Sequence, residues 1–273
     1  VKNIAQITKA MQMVAASKMK KAQLAALAGR PYAEKIAEMA RRFTSQIEKT
    51  SHPLLAKNEN GTRLIVLLST NKGLCGSLNT NLFRSLFHWF SQEELEESSF
   101  VSLGKKSETF LVRSKKRLIA DFSGTVEVFD RIAALTTLIT QGYIKKEYKE
   151  VYLVYNNFLS ALKQEPTRKH ILPISEIHTS EKNTQKEKLS FIVEPSIDSI
   201  LDTLLFHYLE NQIRDAVLEA EASEHSARMF AMKNASDNAK ELITLLTLEY
   251  NKARQEKITS EIADIVTARL AVE

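Results

Sequence analysis

Three groups of residues in this chain have the types and spacing that could do chemistry. Gly73-Leu-Cys-Gly76 follows a short apolar run and holds the single cysteine, so it could offer a thiolate nucleophile or a glycine cradle for phosphate. The spacing is not GxGxxG, no Lys-Ser or Lys-Thr follows as in a P-loop, and no histidine partner is evident, so a tight strand-to-helix turn with a packed cysteine is the plainer reading. Lys18, Lys20 and Lys21 set three ammonium groups close together on a helical stretch, which suits an acidic partner, or simply a solvated face. Arg254 and Gln255 offer a guanidinium fork and an amide to a carboxylate or carbonyl, with Thr259 one turn further on. The six histidines form no HxxxH pair and no Cys/His cluster, so no metal site is expected, and nothing calls for a cofactor.

The elements that must position these groups are dominated by the two ends of the chain. Ser196 to Glu273 contains no glycine and no proline, and its apolar residues keep a helical rhythm. A continuous helix of that length would reach roughly 115 Å at about 1.5 Å per residue, too long for a compact domain to bury. Its stripe can be written with spacings of four and three through Leu209, Ile213, Ala216, Ala220, Ser223, Ala227 and Phe230, and in the same register through Leu248, Ile258, Ile262 and Ile265. That is a left-handed coiled-coil period, interrupted between Asn234 and Gln255, where Leu242, Leu245 and Leu246 run on a shifted line.

A partner helix opens the chain. Ile4, Ile7, Met11 and Val14 repeat at threes and fours, Lys18 and Lys21 break the line, and Ala25, Ala28 and Tyr32 resume it. Pro31 predicts a kink or a restart, with the helix then running through Ile36, Met39 and Phe43 to about Lys49. Residues 1–50 carry ten Lys/Arg against three Asp/Glu, and residues 196–273 carry eight against fourteen. Two helices of opposite sign, separated by an insertion that returns the chain, predict an antiparallel coiled coil.

Between them the pattern changes. Arg63 to Ser69 is an apolar strand, the loop Thr70 to Ser77 follows, and Asn79 to about Glu94 is helical. Alternation continues through Phe100 to Leu103, Lys106 to Arg113, Leu118 to Phe122, a helix around Arg131 to Gln141, and Val151 to Tyr155. This predicts an inserted Rossmann-like α/β domain at 51–195, flanked by shaft helices at 1–50 and 196–273. His170 to Ile174 and Phe191 to Val193 are candidate edge strands, and the polar stretch Thr179 to Lys188 is a candidate mobile loop. One cysteine excludes an internal disulfide framework, no apolar run is long enough to span a membrane, and the composition agrees with an intracellular soluble protein. The net charge of +5 is modest, and its division between the two ends is more informative than its total.

Four stretches carry a resemblance. Lys2 to Gln23 (KNIAQITKAMQMVAASKMKKAQ), Gly73 to Asn81 (GLCGSLNTN), Tyr250 to Ile262 (YNKARQEKITSEI) and Ala222 to Asn238 (ASEHSARMFAMKNASDN) resemble signatures of the gamma subunit of F-type ATP synthase, in matching order along essentially the whole chain. Asn71-Lys72 stands where the family commonly has Asp-Arg, which keeps one cation and removes the carboxylate. The family's usual start lies upstream of Val1, so the resemblance implies an N-terminally incomplete chain.

The resemblance implies a central rotor shaft, one copy per complex, turning inside a hexamer of alpha and beta subunits with its α/β domain at the foot. Rotation driven by the membrane c-ring would carry the beta sites through different nucleotide affinities, coupling proton flow to ATP synthesis while the shaft itself stays non-catalytic and binds no nucleic acid. Arg254, Gln255 and Thr259 would meet a beta-subunit loop, and Lys18, Lys20 and Lys21 the acidic lever region of beta. Leu201 to Gln212 would face the epsilon subunit and the ring, with Tyr208 and Glu210 as contacts. The location implied is peripheral, on the cytoplasmic face of a bacterial inner membrane. With Cys75 alone, the dithiol switch of chloroplast members is absent. A nucleotide-binding enzyme would need more phosphate-binding glycines than the GLCG loop offers, and a plain coiled-coil scaffold or nucleic-acid hairpin would leave the matched signatures unexplained.

Overall fold

The computed structural model describes all residues except 45–51, 125–127, 175–196 and 271–273. Two long helices, α1 (Lys2–Thr44) and α6 (Ile197–Leu270), bracket an α/β domain. Within that domain the order is β1 (Thr62–Leu68), α2 (Leu78–Trp89), α3 (Gln92–Glu97), β2 (Ser99–Leu103), α4 (Lys105–Arg113), β3 (Arg117–Asp121), α5 (Val128–Ile144), β4 (Tyr148–Phe158) and β5 (Gln164–Leu172). The strands lie in the order β3-β2-β1-β4-β5, parallel except for the antiparallel edge strand β5. The chain winds outward from β1 to β3 and returns through α5 to β4 on the other side of β1, the reversal that defines a Rossmann-like sheet.

The apolar composition of β1 follows from its central place, because both faces are covered. Leu64, Val66 and Leu68 join Ile132, Leu135 and Ile139 of α5 and Leu201, Leu205 and Leu209 of α6 in one core. Ile65 and Leu67 join Leu82 and Leu86 of α2, Leu95 of α3 and Leu111 of α4 in a second core on the opposite face. The shaft therefore shares its core with one side of the sheet. The stretch from Lys106 to Arg113 belongs to helix α4, and the helical region expected from Asn79 to Glu94 divides into α2 and α3. Ser91 makes that division, since its side chain caps α3 and Glu94 returns the bond to the Ser91 backbone. The expected strand at Phe191 to Val193, the loop at Thr179 to Lys188 and the helix end near Lys49 lie outside the described residues.

The coiled coil is antiparallel: Thr8 of α1 meets Ser236 of α6 with their hydroxyls 2.7 Å apart, while a Cβ on Gly29 would touch the Arg214 side chain. Its seam differs from the one written in the sequence. On α1 the inward positions recur every seven residues, at Thr8, Ala15, Ala22, Gly29, Ile36 and Phe43, with Met19, Ala26, Ala33 and Ala40 between them. The expected line through Ile4, Ile7, Met11, Val14, Lys18 and Lys21 lies one position away, about 100° around the helix, and all of these but the half-buried Met11 are exposed, whereas Ile36 and Phe43 of the resumed pattern do fall on the inward line.

On α6 the line that includes Ser236 runs through Leu201, Leu204, Tyr208, Asn211, Asp215, Leu218, Ala222, His225, Met229, Met232, Ser236 and Ala239, again at threes and fours. The expected stripe from Leu209 to Ser223 is buried too, but against the sheet: Leu209, Ile213 and Ala216 sit in the shared core, and Ser223 donates to the Asn156 carbonyl of β4 at 2.9 Å. Small residues favour this arrangement, because Ala15, Ala22, Ala40, Ala216, Ala222 and Ser223 let backbones approach closely. Pro31 stands inside an uninterrupted α1, neither ending nor restarting it.

Candidate functional surface of the shaft

The shaft presents its chemistry on a bare upper end. From Thr244 to Arg269 every described side chain of α6 is exposed, including Leu245, Leu248, Ile258, Ile262 and Ile265. Arg254 and Gln255 project from this region, and the Thr259 hydroxyl donates back to the Gln255 carbonyl at 2.8 Å, leaving its lone pairs as acceptors. The exposed face of α1 that carries Ile4, Ile7 and Val14 leads down to Lys18, Lys20 and Lys21, all exposed. Because the seam passes through Met19 and Ala22, these lysines flank the coiled coil without breaking it. Lys18 also lies within electrostatic reach of Glu221, Glu224 and His225 on α6.

The GLCG loop is a structural turn. Leu74 and Gly76 adopt left-handed backbone angles, and Cys75 is buried with Asn79 Nδ2 at 3.5 Å and Thr70 Oγ1 at 3.9 Å from its sulfur, neither of them a base. The helix start at the carboxyl end of β2 is likewise closed by the chain's own groups. The first α4 amides are spent on the chain itself: Lys105 N–H donates to Asn71 Oδ1, Lys106 N–H to the Thr70 carbonyl, and Ser107 N–H to Ser69 Oγ at 2.7 Å. Asn71 thus supplies an acceptor to a helix start as an uncharged side chain. At Gly104, where φ is 121°, a Cβ would run into the Ser69 carbonyl, so this turn requires glycine.

Tyr208 has to be corrected as a surface contact. It is 8% exposed on the inward line of α6, within the shared core, and burial pushes its phenol up to about 12. Glu210, two positions on, faces outward and is half-buried, 3.4 Å from His207 Nδ1.

Residues that the sequence did not single out form the densest polar contacts. Arg228 of α6 donates through Nη2 to the Lys72 carbonyl at 3.0 Å and through Nε and Nη2 to the Gly73 carbonyl, while pairing with Glu224 at 2.8 Å. Ser226 donates to the Ala161 carbonyl. Burial raises the carboxyls of Asp215, Glu219, Glu221 and Glu224 and lowers the Lys169 ammonium, while nearby cations oppose the rise in the acids. His225 is lowered from the ordinary 6.5 to about 4, first by burial and then by Arg228 and Lys18. Among the described residues no cluster of His, Cys, Asp or Glu could hold a metal ion, and no helix is long and apolar enough to cross a membrane.

A long two-helix rod rooted in a Rossmann-like domain, with its upper end bare among the described residues, has the architecture of a central stalk. Residues 1–272 match the ATP synthase family. The chain is 41% identical over 283 residues to the ATP synthase gamma chain of Methylacidiphilum infernorum, covering 100% of this chain and 95% of that one, and 41% identical over 275 residues to the gamma chain of Desulfitobacterium hafniense, with 100% and 95% covered. Its fold is similar to a chain of the central stalk and c-ring of Tetrahymena thermophila mitochondrial ATP synthase, with a TM-score of 0.62 and 27% identity over 84% of this chain and 99% of that one. A chain of Euglena gracilis mitochondrial ATP synthase shares the fold at a TM-score of 0.58 and 19% identity, over 100% and 95% of the two chains. The chain belongs to the ATP synthase gamma-chain family. Its role is that of the central rotor shaft of the ATP synthase.

Proposed function

We propose that the shaft works without catalysing any step, by turning its bare upper end inside a hexamer of alpha and beta subunits. The observation that carries this reading is the run of exposed leucines and isoleucines from Leu245 to Ile265, a stretch of α6 left uncovered by the other described residues. Apolar surface of this extent on a soluble domain marks a partner. An off-axis rod offers a different face to each beta subunit, and a contact that favours one beta conformation over another biases its nucleotide affinity. Arg254 and Gln255 supply the polar part of that contact, with Thr259 beside them. Lys18, Lys20 and Lys21 offer a basic surface lower down, suited to an acidic lever on beta.

The division into shaft and foot falls near 50/51 and 195/196. The foot meets the epsilon subunit and the membrane c-ring, with Glu210 and its neighbour His207 on the outward side of α6 and Tyr208 holding that segment to the core. One copy serves each complex, peripheral to the membrane on the cytoplasmic face of a bacterial plasma membrane. Co-expression with alpha and beta subunits, followed by mass measurement of the purified complex, tests the assembly: a hexamer with one shaft is expected, and a chain that purifies alone would overturn it. The isolated chain should hydrolyse no ATP, and tight ATP binding by it would overturn the non-catalytic reading.

A further inference from the structure

Between residues 223 and 228, α6 is fastened to the α/β domain by side chains that donate to backbone carbonyls. Ser223 holds the Asn156 carbonyl of β4, Ser226 holds the Ala161 carbonyl of the β4–β5 turn, and the Arg228 fork holds the Lys72 and Gly73 carbonyls of the loop after β1. These three anchors reach two separate parts of the domain from little more than one helical turn. Glu224, one turn back from Arg228, pairs with its guanidinium at 2.8 Å, and the two side chains are only 19% and 11% exposed. The loop is itself rigid where it is gripped: Leu74 and Gly76 take left-handed angles, Thr70 Oγ1 donates to the Lys72 carbonyl at 2.8 Å, and Asn79 ties back to Thr70. Beyond this level α6 is buried only along the line toward α1, until Ile243, and then not at all.

We propose that Arg228, aligned by Glu224 and assisted by Ser223 and Ser226, is the torsional clasp of the rotor, the joint through which turning force passes between the α/β domain and the free shaft. The physical case rests on position and stiffness. Apolar packing between helix and sheet transmits strain but is non-directional, so directional bonds add an angular restraint that packing alone does not set. Hydrogen bonds to carbonyls fixed in a strand and two tight turns are directional and lose strength as the angle departs from linear. A planar guanidinium that spans two carbonyls and a carboxylate cannot rotate relative to any of them without losing a bond. Arg228 is a positioning residue in this account, since it touches neither nucleotide nor beta subunit. The proposal rests on the rotor reading, and on force entering through the α/β domain.

The test uses the soluble alpha–beta hexamer assembled around the shaft, with a bead tethered through Arg113→Cys at the exposed end of α4, so that the bead loads the α/β domain directly without a ring. The readout is the bead's angular variance during the ATP-waiting pause. Losing the directional bonds of the Arg228 fork should widen the variance measurably in Arg228→Ala. Arg228→Lys should give an intermediate value, because one ammonium cannot span both carbonyls and the carboxylate. Glu224→Gln keeps the fork but loosens its alignment and should give a smaller widening, which keeps the test available if Arg228→Ala fails to assemble. A variance equal to wild type in the assembled variants would overturn the clasp, even if their melting temperature fell, since a merely stabilising contact lowers melting without softening the joint. Absence of ATP-driven rotation with the unaltered shaft would instead count against the rotor reading.

Discussion

Residues 200–228 and 244–269 belong to one unbroken helix, yet the first stretch is buried on two sides and the second on none. The lower part turns one line of residues to α1 and another to the sheet, with Leu201, Leu205, Leu209 and Ile213 each no more than 1% exposed. In the upper part Leu245, Leu248 and Ile265 are each at least 60% exposed on a helix of similar rhythm. The difference teaches that an apolar stripe specifies burial without specifying the partner. The lower stripe is satisfied within the chain, and the upper one only in an assembly.

The comparison breaks first under truncation of the core. Leu205→Ala should destabilise the chain by roughly 2–5 kcal/mol, because Leu205 is fully buried where α6, α5 and the sheet meet. Leu245→Ala, at 60% exposure, should change denaturant stability of the free chain by no more than about 0.5 kcal/mol. Equal losses would show that the upper helix is packed by its own chain.

The double change Arg254→Ala, Gln255→Ala sharpens the comparison in the assembled enzyme. A charge-assisted hydrogen bond is worth roughly 1.5–3 kcal/mol, and its loss from the barrier corresponds to about a tenfold to hundredfold fall in ATP turnover. Free-chain stability should stay unchanged, since both side chains are exposed. Steady-state turnover and proton pumping at wild-type levels would withdraw the contact.

At the boundary between the two regions, Thr8→Val strands the buried Ser236 hydroxyl and should cost about 1–3 kcal/mol. Adding Ser236→Ala should recover part of that loss. A double-mutant cycle read by denaturant unfolding checks it, and strict additivity would show that the pair is uncoupled.

The smallest effect is a change of slope with pH. His225 has its folded value lowered to about 4 from 6.5, so between those values the unfolded chain binds the extra proton and acidification disfavours folding. The raised carboxyls of Glu221 and Glu224 act with the opposite sign, favouring the folded chain as pH falls toward their raised values. His225→Gln isolates the histidine: relative to wild type the variant should gain stability as pH falls from about 6.5 toward 4, and should show no such gain above that window. Parallel stability curves across that range would remove the effect.

Much of this was legible in the sequence because it depends on local patterning. The absence of glycine and proline after Ser196 announced α6, the apolar run from Arg63 announced a central strand, and the alternation after it announced the sheet. The resemblance carried by the terminal signatures agreed with the family membership. The exposure of Arg254 and Gln255 was visible too, as a polar pair on a solvated helix.

The seam was not legible, for a definite reason. Neighbouring lines on a helix differ by one position, and hydrophobicity alone chose the line through Ile4, Ile7 and Val14, whereas the inward line carries Thr8, Ala15 and Gly29. Close packing of two backbones selects small residues over large ones, and the serines and threonine it buries find partners only across the fold. Tyr208 illustrates the same limit from the other side: its amphipathic type suits a surface contact, and only the packing of α6 against α1 and the sheet placed it inside. Arg228 marks the limit most sharply. Its partners are carbonyl oxygens about 155 residues away in the chain, and backbone atoms leave no trace in residue type. The sequence by itself determined that there would be two helices and a sheet, with one helix too long for a compact domain to bury. Only the tertiary structure decided which faces meet, because that choice depends on shape and on hydrogen bonds between parts of the chain far apart in sequence.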